Sequence, residues 1–115
     1  MTELAPPADP EDAKIISLAR SALVRTAATQ GACVRDLDGR TYAASAVSLP
    51  HLSLSAVAVA VAMAVSSGAA GLEAVAVAGA DPSADDLAVV GDLPGTAVVV
   101  WVADARGQLT ARLPL

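Results

Sequence analysis

Leu54-Ser55-Ala56-Val57-Ala58-Val59-Ala60-Val61-Ala62-Met63-Ala64-Val65 is the stretch whose reading decides the fold. Its alternation of alanine and valine has period two, as a strand does, while its length and alanine content favour a helix. We read it as a helix, with Ser53 as N-cap and Gly68 as terminator after Ser66-Ser67. Apolar all round, such a helix must be covered on most of its sides.

Upstream, Asp9-Pro10-Glu11-Asp12 reads as a helix start: Asp9 caps, Pro10 takes the first helical position, and the acids face the positive end of the dipole. Ile15, Leu18, Ala19, Ala22 and Leu23 recur at helical spacing, which predicts a helix to about Ala27 with Lys14, Arg20 and Arg25 towards water. Residues 1–8 are polar and Pro-rich and read as a flexible tail, leaving 9–115 as one domain. Gly31 to Arg35, the turn Asp36-Leu37-Asp38-Gly39, and Thr41 to Val47 form a predicted β-hairpin.

Downstream, Ala74 to Ala78 and Thr96 to Ala103 read as buried strands, separated by a loop with one helical turn around Asp85 to Val90. Asp104-Ala105-Arg106-Gly107 is a second hairpin turn, leading to a last strand from Gln108 to Leu113. The order is helix, strand, strand, helix, strand, short connector, strand, strand. That is the order of an α/β layered domain.

Composition narrows the function classes. The chain of 115 residues is 55% hydrophobic with a mean hydropathy of +0.58, yet it holds no Phe, one Tyr and one Trp, so its core is built from small pieces. A formal charge of -5, with the seven basic residues scattered, argues against a nucleic-acid partner. The opening Thr2-Glu3 and the prolines after it do not resemble a signal peptide, which points to the cytoplasm. From Thr41 to Leu72 there is no formal charge, but Pro50, His51 and several serines interrupt the stretch, so no membrane span is expected. The single Cys33 cannot form an internal disulfide and reads as a small buried hydrophobe.

The ordered set of Gly31-Ala32-Cys33-Val34, the turn at Asp38-Gly39-Arg40, Tyr42, and Ala64-Val65-Ser66-Ser67-Gly68 resembles the small cytidine deaminases. There the matching pieces are a G-A-A-L strand, a D-G-R turn, a strand beginning near a Tyr, and an A-V-S-E-G helix end. The resemblance spans roughly residues 12–80 and is looser beyond. It implies a three-layer α/β/α fold with a mixed central sheet of about five strands. The usage of Ala, Val and Arg with one Lys and no Asn is that of a high-GC bacterium, and such short chains resemble actinobacterial members of the family.

Deamination in that family needs Zn²⁺ to lower the pKa of a bound water, and a Glu beside it to shuttle protons. The first ligand and the Glu belong to a C-A-E or H-A-E triplet at the start of the central helix. By the resemblance this triplet falls on Ser55-Ala56-Val57, so a hydroxyl stands for the ligand and a hydrocarbon for the acid/base. The other ligands come from a P-C-x-x-C turn, and the corresponding region, Asp81 to Leu93, has no cysteine and reads as shortened. The sugar-binding Asn and Glu would fall near Ala46 and Ser48, and the base-stacking aromatic near Ala28. The resemblance therefore implies a degenerate member with no zinc, no other cofactor and no catalytic residue.

The sharper alternatives for single residues are weak. His51, Ser53 and Ser55 lie too close in one segment for nucleophile and base, and there is no G-x-S-x-G elbow. Gly68-Ala69-Ala70-Gly71 follows a helix and precedes a strand, the reverse of a phosphate-binding order. Asp81, Asp85 and Asp86 read as a solvated loop. Trp101 is a ligand platform, an interface anchor or a core filler. The leading expectation is an inactive deaminase-like protein acting through a homo-oligomer, dimer or tetramer, or a protein partner. The alternatives are a nucleoside or nucleotide sensor at the vestigial pocket beside Ser55, and an active deaminase.

Overall fold

The structure, a computed structural model, describes residues 4–95 and 97–115. The expected strand start at Thr96, and Met1 to Glu3 of the expected tail, lie outside the described residues. Helix α1 (Pro10–Thr26) is followed by strands β1 (Gln30–Asp36), β2 (Thr41–Ser45), β3 (Val47–Leu49) and β4 (Leu52–Leu54), then α2 (Ala56–Ser66). The chain continues with β5 (Leu72–Gly79), α3 (Ala84–Gly91), β6 (Val99–Ala103) and β7 (Leu109–Pro114). The strands β2-β1-β5-β6-β7 form one sheet in that order, mixed because only β5 and β6 run parallel. Among the described residues no helix is long and apolar enough to cross a membrane.

The sheet has a helix layer on each face, because its central strands are apolar on both sides. Ala32, Val34, Val75, Val77, Val100 and Val102 face α2 and α3, where Val57, Val61 and Val90 complete the core. Cys33, Ala74, Ala76, Ala78, Trp101 and Ala103 face α1 and pack on Ile15, Ile16 and Ala19. The α1 side is lined mainly by alanines, so α1 sits close to the sheet. At Gly31 the approach leaves no room for a side chain: a Cβ there would collide with the Ala19 carbonyl and lie 2.9 Å from Leu23 N. Trp101 is the one large residue in this layer and is buried, with the Arg112 guanidinium 5.4 Å from its ring centre. Among its expected roles, that geometry is core filler.

The ends of α1 follow the sequence reading. Asp9 Oδ1 accepts from Glu11 N at 2.9 Å, and Ala27 closes the helix in the left-handed region at φ 52°. Helix α2 ends as expected at Gly68, whose φ of +93° lets Gly68 N donate to Val65 O and Ala69 N donate to Ala64 O. Its start differs. The N-cap is Ser55, not Ser53, and Ser53 lies in β4, paired with Ser48 across a small hairpin. The expected strand Thr41 to Val47 accordingly splits at Ala46, where the chain leaves the main sheet to form β3. The helical turn expected at Asp85 to Val90 is a two-turn helix, α3.

One buried charge sits under α1. Arg35, on β1, lies with Nη2 2.9 Å from Asp12 Oδ1 and donates from Nε to Glu73 Oε2 at 2.8 Å. Burial alone would pull the guanidinium's pKa down, and the carboxylates of Glu73 and Asp12 more than offset it. This cluster ties the first turn of α1 to β1 and β5.

Candidate functional site

The N-termini of α2 and α3 meet at one corner of the sheet, and four side chains join them. Ser55 Oγ accepts from Ala58 N at 3.0 Å, capping α2, and donates to Asp86 Oδ1 at 2.6 Å. Asp86 sits in the first turn of α3, where its Oδ2 accepts from Ser83 N at 3.1 Å and its own N–H donates to Ser83 Oγ at 3.0 Å. That pair is a reciprocal capping box. Gln30, at the start of β1, completes the corner: its Oε1 accepts from Ala56 N at 2.9 Å, and its Nε2 donates to Ala80 O at 3.2 Å and Asp81 O at 3.5 Å.

Asp86 and Gln30 are both buried, at 6% and 5% exposure, and each finds partners for its polar atoms. The carboxylate lies at the N-terminal ends of two helices at once. Both its oxygens are engaged. The hydroxyl of Ser55 is occupied as donor and as acceptor, and Val57, just inside α2, is 1% exposed in the core beneath. Each polar side chain of this corner is thus engaged within the protein itself.

The other residues singled out in the sequence lie elsewhere. His51 is exposed in the turn between β3 and β4, and Ser48 is exposed on β3. Ala46 N donates to Gln30 O at 3.0 Å, and Ala28 N donates to Leu23 O at 3.2 Å just after α1. Asp81 and Asp85 are exposed near the start of α3, whereas Asp86, grouped with them as solvated loop, is buried. Cys33 is fully buried on the α1 side, where burial pushes its thiol up to about 11.

The described cavities lie outside the corner. One, of ≈ 680 Å³, runs between the chain at Leu4 to Pro7, α1 at Ile16, and the β6–β7 turn. A second, of ≈ 390 Å³, is a shallow apolar groove between Tyr42, Leu54, Val59 and Met63.

A layered sheet closed at the N-termini of its two neighbouring helices defines the class of fold, and comparison with known proteins places the chain within it. The family model described as cytidine deaminase-like matches residues 8–107, and the chain belongs to that family. The chain is similar to the solved cytidine deaminase of Burkholderia pseudomallei at a TM-score of 0.76 and 19% identity, over 88% of this chain and 90% of that one. It is also similar to the cytidine deaminase of Mycobacterium leprae, at 0.66 and 15% identity over 84% and 89% of the two chains. A point-mutant cytidine deaminase of Mycobacterium tuberculosis matches at 0.62 and 21% identity, over 82% and 85%. Comparison with curated proteins gives no match.

Pro82-Ser83-Ala84-Asp85-Asp86 has the spacing of P-C-x-x-C, with Ser83 and Asp86 in the places of the two cysteines. Ser55, which the resemblance puts at the first ligand position, is bonded to Asp86, and Asp86 to Ser83. They do not fit the metal. Zinc sites are built from thiolates, imidazoles and carboxylates. Here two positions carry hydroxyls, and the one carboxylate accepts from Ser55 at one oxygen and from Ser83 at the other. Cys33 lies on the other face of the sheet, and among the described residues no group of three His, Cys, Asp or Glu side chains is placed to hold an ion.

The roles of Gln30, Ser83 and Asp86 were missed in the sequence. Ser83-x-x-Asp86 was readable as a capping box with Asp in place of Glu. The contact of Ser55 with Asp86 spans 31 positions and has no local signature.

Proposed function

We propose that this chain is a non-catalytic member of the cytidine deaminase-like family whose function is association, in the first place with a second copy of itself. One observation carries the reading: the outer face of α2 and the β3–β4 hairpin are apolar and exposed within a stretch, Thr41 to Leu72, that holds no formal charge. Leu49, Leu52, Leu54, Met63 and Val65 are between 37% and 59% exposed there. Contiguous exposed apolar surface on a small protein marks an interaction site. Two copies carrying a net charge of -5 repel over most of their surfaces, and this neutral face is where they can approach.

The chemistry of the corner supports the non-catalytic half of the proposal. A deaminase needs an activated water and a proton shuttle; the hydroxyl of Ser55 and the hydrocarbon of Val57 stand where the resemblance puts a metal ligand and the shuttling Glu, and Asp86 is held by Ser55 and Ser83. The alternative of a nucleoside sensor gains no support, since the corner is filled by its own hydrogen bonds and neither described cavity draws a lining residue from it. Sedimentation velocity tests association. The wild-type protein is expected to sediment well above its 11.3 kDa monomer mass at micromolar concentration, and the Met63→Glu/Val65→Glu variant as a monomer with unchanged circular dichroism. A wild-type monomer at hundreds of micromolar would overturn the reading.

A further inference from the structure

We propose that Ser55, Ser83 and Asp86 form a metal-free clamp that holds the N-termini of α2 and α3 together, taking over at these positions the structural part of what a metal ion would do. The inference stands whether or not the chain associates. It rests on one bond between the two helix starts and a local box beside it: Ser55 Oγ donates to Asp86 Oδ1 at 2.6 Å across the corner, and at the start of α3 the backbone amides of Ser83 and Asp86 donate to each other's side chains at 3.1 and 3.0 Å. Ser55 stands where the resemblance puts the first ligand, and Ser83 and Asp86 have the spacing of the two cysteines of P-C-x-x-C. A zinc ion with thiolate ligands fastens chain segments together and places negative charge at the helix ends. The Asp86 carboxylate does both: it receives the Ser55 hydroxyl from one helix start and the Ser83 amide from the other, and its charge faces both positive helix ends.

Burial makes the clamp matter. Asp86 is only 6% exposed, so loss of either partner leaves a charged oxygen away from water without a donor. Gln30 fastens the same corner to the sheet by bonding Ala56 N on one side and Ala80 O on the other. The contacts are therefore cooperative rather than a set of separate caps.

A double-mutant cycle tests the clamp. Ser55→Ala and Asp86→Ala should each raise the unfolding equilibrium constant about tenfold in urea titrations. The double variant should fall well short of the product of the two effects, because each change breaks the same bond. Equality with the product overturns the clamp. In parallel, the melting temperature of the wild-type chain should be the same in excess EDTA and in equimolar Zn²⁺, and a fall in EDTA overturns the metal-free claim. Finally, the Ser55→Cys/Ser83→Cys/Asp86→Cys variant should bind one equivalent of Co²⁺ with thiolate charge-transfer absorption. A folded variant that takes up no Co²⁺ contradicts the proposed three-point geometry, and if that variant does not fold, the cycle and the EDTA comparison decide.

Discussion

Helices α1 and α2 lie on opposite faces of one sheet and are built on different principles. Helix α1 is amphipathic: Ile15, Ile16, Ala19 and Leu23 go inward, while Glu11, Lys14, Arg20 and Arg25 meet water. Helix α2 carries no charge at all, burying Val57, Ala60 and Val61 while leaving Ala62, Met63 and Val65 exposed. The first surface is finished by solvent; the second is apolar on its outside as well, the pattern of a helix meant to be covered on both sides. The family's fold is thus paired with an exposed apolar surface on α2.

The largest effect should come from the tight side. Gly31→Ala would drive a methyl group into the backbone of α1 at Ala19 and Leu23, so the helix must lift off β1. We expect a loss of about 3 kcal/mol, at the upper end for overpacking, measured by urea unfolding. A loss under about 0.5 kcal/mol would mean that α1 is not seated as described.

A smaller effect separates the helix ends. Helix α1 is closed by Ala27 at φ 52°, which a side chain adopts at a cost, whereas α2 is closed by Gly68. Ala27→Gly should stabilise the protein by about 1 kcal/mol, raising its melting temperature. The reverse change at the other helix, Gly68→Ala, should destabilise it by a similar amount even though a Cβ there meets nothing within 4 Å.

The smallest stability effect concerns pH, at the turn before β2. Burial of Asp36 would raise its pKa, but donation from Arg40 N, the Tyr42 hydroxyl and Asp38 N outweighs it and holds the carboxyl below the ordinary 3.8. A folded-state value below the unfolded one means stability present above pH 3.8 and lost as pH falls towards the folded value. Asp36→Asn should flatten the stability profile below about pH 4. An unchanged acid limb would show that Asp36 is not the group responsible.

The two helices also show how much was legible. For α1, a cap, a proline, a periodic apolar set and a basic last turn each mark the same element, so its ends and buried face could be read directly. For α2, the Gly68 end was readable, but a run with no polar face offers no boundary at its start, so Ser53 was read as the cap where the structure has Ser55. Strands β3 and β4 were lost for a related reason. They are three residues each, and Pro50-His51 is not a dipeptide that marks a two-residue hairpin. At the corner, Ser55 and Val57 were found through the family pattern, while Ser83 and Asp86 needed the fold to bring distant segments together.

Hydrogen exchange followed by mass spectrometry, at low and at high micromolar protein concentration, tests the central comparison most directly. As concentration rises, amides of β3, β4 and the solvent-facing side of α2 should slow markedly while those of α1 keep their rates. Equal behaviour of the two helices, or slowing confined to α1, would contradict the assignment of the uncharged face as the surface of association.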